Sequence, residues 1–97
     1  MLGTNYDDFK KLLKTNSDFE LSYKGVVYTI VKMPVADDVG TFAIDIWEGR
    51  ENAKQVYCAK FSRSSVNFVK EVLNAPIFPV GKSISAVESE ISLEWYS

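Results

Sequence analysis

The sequence predicts an α+β fold in which one mainly antiparallel sheet of four to five strands carries two main helices on one face. Two alternating apolar runs flank the dipeptide Lys24-Gly25, a pattern typical of a β-hairpin. Such a hairpin has one apolar and one polar face, so the apolar face must be covered by helices. Two segments with helical spacing of apolar residues, one on either side of the predicted strands, supply that cover.

The hairpin is predicted in detail by its two-residue loop, since Gly25 readily takes the positive φ that the loop requires. The pairs expected on the apolar face are Tyr23 with Val26, Leu21 with Tyr28 and Phe19 with Ile30. The pairs expected on the polar face are Ser22 with Val27 and Glu20 with Thr29. This register predicts which side chains face the core.

The other elements are expected in the order α-β-β-β-β-α-short α-β. The first helix begins after a cap at Thr4 or Asn5, and its apolar stripe is Tyr6, Phe9, Leu12 and Leu13. The second strand is expected to end near Met33, because Pro34 interrupts the alternation, and residues 34–40 are expected to form a loop. A third strand covers residues 42–47, residues 48–54 form a polar turn, and a fourth strand covers about 55–61.

The last third of the chain predicts a second main helix, a short helical turn and a final strand. Ser62 and Ser64 compete as caps of the second helix, whose shared face is Val66, Val69, Val72 and Leu73. Residues 85–88 match a capping box over a short helix. Ile91, Leu93 and Trp95 alternate with polar residues, so all three are expected to face the core.

Composition and charge predict a single domain that spans residues 1–97 and lies in the cytoplasm. One cysteine excludes an internal disulfide, which favours a reducing compartment. The chain has 11 basic and 13 acidic residues, a net charge of −2, and no lysine or arginine cluster. We therefore expect no nucleic-acid partner. The first residues lack the features of a signal peptide, and no apolar stretch is long enough for a membrane span.

Catalytic chemistry is not indicated by the residue types. The chain has no histidine, which removes the commonest general base and the commonest metal ligand. Cys58 lies in the middle of a predicted strand, and we interpret it as a small buried hydrophobe rather than a nucleophile. We therefore expect no enzymatic activity, no cofactor and no bound metal.

Trp47 is the residue that most suggests binding, because it lies on the strand face opposite Phe42, Ile44 and Ile46. Tryptophan is enriched at binding hot spots, although a tryptophan that only covers the sheet margin fits the same pattern. Carboxylates surround it in the sequence. The candidate partner-binding residues are Trp47, Asp37, Asp38, Asp45 and Glu48.

The hairpin pattern Phe-Glu-Leu-x-Tyr-x-Gly-x-x-Tyr-x-Ile, followed late in the chain by Gly81-Lys82-Ser83-Ile84 and Glu90-Ile91-Ser92-Leu93-Glu94, resembles small uncharacterised α+β proteins of Gram-positive bacteria and their phages. That resemblance implies a bacterial or phage cytosolic origin and assigns no catalytic residues. The order of helices and strands is also similar to that of double-stranded-RNA-binding domains. Their second helix carries a run of lysines, whereas here it has only Lys70.

These observations together predict a non-enzymatic protein-binding module, with a phage-encoded inhibitor and a bacterial immunity-type protein as two settings for it. The alternative is a small-molecule- or metal-binding domain that uses the acidic loops. In that alternative, Asp37, Asp38 or Glu48 would converge on a pocket that holds a cation. The sequence leaves open the partner's identity and the oligomeric state.

Overall fold

The computed structural model describes residues 1–97, and its central feature is one antiparallel sheet of five strands. The elements in chain order are α1 (Tyr6–Thr15), β1 (Asp18–Tyr23), β2 (Val26–Val35), β3 (Asp38–Glu48), β4 (Lys54–Ser62), α2 (Phe68–Asn74), α3 (Ile84–Val87) and β5 (Ile91–Tyr96). The spatial order of the strands is β4-β3-β2-β1-β5. The predicted α+β class and the predicted element order are confirmed.

One face of the sheet, which we call the covered face, is buried beneath the helices. Its buried side chains are Phe19, Leu21, Tyr23, Tyr28, Ile30, Ile44, Ile46, Phe61, Ile91 and Leu93. The helices contribute Phe9, Leu13, Val69, Val72, Leu73, Ile84 and Val87 to the same core. All the helices therefore pack on one side of the sheet, as the one-sided apolar pattern of the hairpin requires.

The β1–β2 hairpin has the predicted turn and register. Lys24 and Gly25 both have positive φ, 50° and 79°, as expected for the central residues of a type I′ turn. Tyr23 pairs with Val26, and Phe19 pairs with Ile30. The N-cap of α1 is Asn5, whose side chain accepts a hydrogen bond of 2.8 Å from the backbone N–H of Asp8. Both local predictions are confirmed.

The predicted loop over residues 34–40 is wrong, because β2 and β3 form a long hairpin through this region. Pro34 lies within β2 and pairs with Phe42 of β3. It is tolerated because β1 pairs with β2 only as far as Val31, so one side of β2 needs no donor at Pro34. The turn is tight, and Asp37 takes a positive φ of 64° in it.

The predicted beginnings of both later helices are also wrong. Helix α2 begins at Phe68, and Val66 is 87% exposed before it. The hydroxyls of Ser62 and Ser64 hydrogen-bond each other at 2.9 Å in a turn after β4, so neither caps a helix. Helix α3 is capped by Ser83, whose Oγ accepts from the N–H of Ala86 at 3.3 Å.

A β-bulge in β5 overturns the prediction that Trp95 faces the core. Leu93 pairs with Leu21, but the next pair along β1 joins Glu20 to Trp95, so Glu94 is an extra residue. The extra residue reverses the alternation, and Trp95 lies on the side of the sheet opposite Leu93. The Trp95 side chain is 53% exposed, and Tyr96 returns to the covered face, where its ring stacks on Phe19.

The outer edge of β5 is paired with a short stretch at the beginning of the chain. The N–H of Leu2 donates to the carbonyl of Ile91 at 2.9 Å, and the carbonyl of Leu2 accepts from the N–H of Leu93 at 2.8 Å. The contact is a parallel bridge between Leu2 and Ser92. Strand β4, at the other edge, pairs only with β3.

Candidate partner-binding face

The second face of the sheet, which we call the open face, has no helix packed on it. We define it by two rows of cross-strand neighbours. The first row is Gln55, Trp47, Thr29, Glu20 and Trp95, and the second is Cys58, Asp45, Val31 and Asp18. None of these residues is buried, whereas ten strand residues of the covered face are. The open face is therefore accessible to another molecule.

Trp47 and Trp95 lie in the same row, on β3 and β5. Three inter-strand spacings of about 4.8 Å separate these strands, so the two backbones are roughly 14 Å apart. Trp47 is partly exposed, and its predicted orientation away from Ile44 and Ile46 is confirmed. Two tryptophans on one accessible row give the open face two large apolar anchors.

Between the tryptophans, an ion pair crosses the open face. The guanidinium of Arg50, in the turn after β3, donates hydrogen bonds to both carboxylate oxygens of Glu20 on β1. Nearby, Ser22 Oγ donates to Glu94 Oε1 at 2.6 Å. Hydrogen bonds from Ser22 and then Ser92 lower the pKa of the Glu94 carboxyl, so Glu94 carries its negative charge firmly.

Asp45 and Cys58 are directly opposite each other in the second row. Oδ1 of Asp45 is buried and has no hydrogen-bond partner, an arrangement that costs stability. Cys58 is exposed, so the prediction that it is buried is wrong. Tyr57, Ala59 and Phe61 face the covered side, which places Cys58 on the open face. Hydrogen bonding to Asp45, partial loss of hydration and the charge of Asp45 raise the pKa of the exposed Cys58 thiol.

The five candidate residues predicted from the sequence occupy three separate places. Trp47 and Asp45 share the open face. Glu48 lies on the covered side, where it accepts a hydrogen bond of 3.1 Å from Tyr28 Oη. Burial, followed by that hydrogen bond, raises the pKa of Tyr28 to about 12. The role of Glu48 here is therefore to satisfy a buried hydroxyl.

Asp37 and Asp38 are at the end of β3 remote from Glu48. Asp38 accepts hydrogen bonds from the N–H of Gly40 at 3.1 Å and from Thr41 Oγ1 at 2.7 Å. These contacts hold the β2–β3 turn together. The structure thus brings Trp47 and Asp45 together but does not bring Asp37, Asp38 or Glu48 to them.

Trp95 is the residue of this face that sequence reasoning missed. Its alternation with Ile91 and Leu93 is that of a regular strand, and no sequence signal marks the bulge at Glu94. The side of the sheet on which Cys58 lies could be predicted from the sequence, because Cys58 alternates with Tyr57, Ala59 and Phe61. The open face of an edge strand exposes such a residue whatever its polarity.

No group of three cysteine, aspartate or glutamate side chains is arranged to hold a metal ion. The longest helix, α1, has 10 residues, and none of the helices has the length and apolar character needed to cross a membrane. Comparison with protein-family models, with curated proteins and with solved structures gave no match to this chain.

Proposed function

We propose that the protein is a non-enzymatic protein-binding module and that its partner docks on the open face. The observation that carries this proposal is the row that contains both Trp47 and Trp95 on a sheet face without a covering layer. Tryptophan is among the residues that dominate binding energy at protein interfaces. A partner that covers this row would remove both side chains from water.

The charges of the open face favour a partner with a basic surface. Asp18, Asp45 and Glu94 make no salt bridge, and the guanidinium of Arg50 is occupied by Glu20. Lys60, in phase with Cys58 on β4, adds one unpaired cation on the same side of the sheet, so the unpaired charges there are negative on balance. Complementary charge chiefly raises the rate of association, while the tryptophans supply the contact area that slows dissociation.

The experiment compares partner recovery by the wild type, Trp47→Ala, Trp95→Ala and the control Val66→Ala. Val66 is 87% exposed and lies outside the sheet. We expect each tryptophan variant to lower the partner's affinity by about 2 kcal/mol, roughly thirtyfold, and the control to leave it unchanged. All variants are first shown to be folded by circular dichroism. Equal affinity for both tryptophan variants and the wild type would reject the open face as the docking surface.

Phage-encoded inhibitors of host proteins and bacterial immunity-type proteins are the settings that suit such a module in the cytosol. The alternative function, ligand or metal binding by the acidic loops, has no geometric support of its own. Asp37 and Asp38 stand at one end of β3 and Glu48 at the other, and each of Asp38 and Glu48 is engaged in a local hydrogen bond.

A further inference from the structure

Lys32 is the one charged side chain of β2 in phase with the buried residues Tyr28 and Ile30. Its Nζ donates to the backbone carbonyl of Leu13 at 3.1 Å and to that of Lys14 at 3.4 Å, at the end of α1. The same nitrogen lies 5.7 Å from the centre of the Phe42 ring and 5.4 Å from that of Phe68. Lys32 is thus held in a defined position beside two aromatic rings.

These groups line a cavity of about 340 Å³ at the margin of the covered face. Its walls are Lys14, Lys32, Arg63, Met33, Pro34, Phe42 and Phe68. Three walls are cationic and none is a carboxylate. None of the three cations makes a salt bridge, although the protein as a whole has a net charge of −2.

Helix capping explains only part of this arrangement. A lysine at the C-terminal carbonyls of α1 is favourable, and it uses two of the three N–H donors of Lys32. Capping gives no reason for Arg63 and Lys14 to line the same cavity. Burial lowers the pKa of Lys32, so water screens a negative charge beside this ammonium less than it would beside a fully exposed lysine.

The geometry points to a binding site in this cavity for a small organic anion, a phosphate or carboxylate group carried on a flat ring. The guanidinium of Arg63 matches two anionic oxygens, and Lys14 and Lys32 add point charges. Phe42 and Phe68, whose rings meet edge to face at 5.1 Å, provide the apolar surface for the ring. The volume lies at the small end of the range of about 300–1,000 Å³ for ligand sites.

The test is an NMR titration of the wild type with adenosine 5′-monophosphate, phenylacetate, adenosine and inorganic phosphate. We expect at least one of the two aromatic anions to shift the resonances of Lys32, Phe42 and Arg63 with a Kd below about 1 mM. Adenosine lacks the charge and inorganic phosphate lacks the ring, so each should bind about tenfold more weakly or worse. Comparison of the two aromatic anions distinguishes phosphate from carboxylate.

Arg63→Ala and Lys70→Ala form a matched pair of variants. Both side chains are exposed, but Lys70 lines a neighbouring cavity and not this one. We expect Arg63→Ala to weaken binding of the aromatic anion about tenfold or more, Arg63→Lys to restore part of it, and Lys70→Ala to change nothing. Unfolding midpoints verify that each variant is folded.

Three results would overturn the site. The first is the absence of binding by both aromatic anions, and the second is equal binding by inorganic phosphate. The third is equal loss of affinity in Arg63→Ala and Lys70→Ala, which would indicate a diffuse basic surface for a polyanion such as nucleic acid. The site does not include any residue of the open face, so its failure and that of the proposed function are separate results.

Discussion

On the covered face of the sheet ten apolar strand residues are at most 7% exposed, whereas on the open face no residue of either row is buried. The two faces alternate along the same strands, so consecutive residues serve different purposes. Burial of one large apolar side chain stabilises a fold by about 1.5–3 kcal/mol. The covered face therefore accounts for most of the stability, and the open face can carry side chains chosen for binding.

Charge separates the two faces as clearly as burial does. The open face has three carboxylates outside any salt bridge, Asp18, Asp45 and Glu94, against the single lysine Lys60, while the cavity at the margin of the covered face has cations without anionic partners. A protein with a net charge of −2 thus presents an acidic side and a basic corner. Partners of opposite charge would be directed to different parts of the molecule.

The largest expected effect is a loss of stability when a buried residue of β3 is truncated, and the next residue on the strand serves as the comparison. Ile46 is fully buried, and Trp47 beside it is partly exposed on the open face. Ile46→Ala should lower the free energy of unfolding by about 3 kcal/mol, because it leaves a cavity in the core. Trp47→Ala should lower it by about 1 kcal/mol. Urea unfolding followed by circular dichroism measures both losses of stability. Equal losses would show that Trp47 is packed like a core residue and that the open face is not accessible to a partner.

The next largest loss of stability is expected at the β1–β2 turn, which determines which residues lie on each face. A one-residue slip in the β1–β2 register would exchange the faces, and the turn at Gly25 prevents it. Gly25→Val should cost at least about 1 kcal/mol, because φ is 79° there and a β-branched residue resists it.

Gly40→Ala is the matched control for the turn. A Cβ at Gly40 would meet its nearest neighbour, Asp38 Oδ1, at an ordinary 3.6 Å, so we expect a change within about 0.5 kcal/mol. The measurement is again the unfolding midpoint in urea. An unchanged midpoint for Gly25→Val would mean that the register depends on some other contact.

A smaller effect, of opposite sign, is expected at Asp45. Asp45→Thr removes a carboxylate with an unpartnered buried oxygen and introduces a residue that strands favour. We expect the free energy of unfolding to rise by about 1 kcal/mol while the affinity for a basic partner falls. Thermal unfolding and partner titration test the two halves. A loss of stability would mean that Asp45 supports the fold rather than the binding face.

The smallest effect is on the reactivity of Cys58. Because the thiol is exposed, it should react with a maleimide in the native protein, contrary to the inert behaviour predicted from the sequence. Because its pKa is raised, less thiolate is present near pH 7, and labelling should be slower than for an unstructured peptide thiol. The rate should increase with pH and should also increase in Asp45→Thr. A native rate equal to that of the peptide at pH 7 would contradict the influence of Asp45.

Local signals predicted the fold well where a few residues determine the geometry. The Lys24-Gly25 turn determined the hairpin register, and Asn5 determined the start of α1. Trp47 was placed on its correct face by simple alternation. The predicted beginning of α3 was wrong because Ser83 and Ser85 are both possible caps, and Ser83 is the one used. The predicted beginning of α2 was wrong because the helix begins after Asn67, without a side-chain cap, so no serine marks its start.

The candidate site was predictable only in part. The sequence placed Asp45 and Trp47 on one face of their strand, as the structure does, but the position of Trp95 depends on a bulge between distant segments, which no local pattern reveals. The cavity had a visible signal, since Lys32 lies in phase with Tyr28 and Ile30. Its partners Lys14 and Arg63 come from other parts of the chain, so only the folded structure brings them together.

The bridge between Leu2 and β5 limits how copies of this protein can join. A sheet with two unpaired edges can add strands on both sides, and repeated addition produces a fibre. The outward carbonyl of Ile91 and the outward N–H of Leu93 are already bonded to Leu2, so strand exchange between copies is favoured at β4, whose outer edge has no partner. Pairing of β4 with β4 is a two-fold contact that uses up both edges. Growth of the sheet from molecule to molecule would stop at a pair unless Leu2 were displaced.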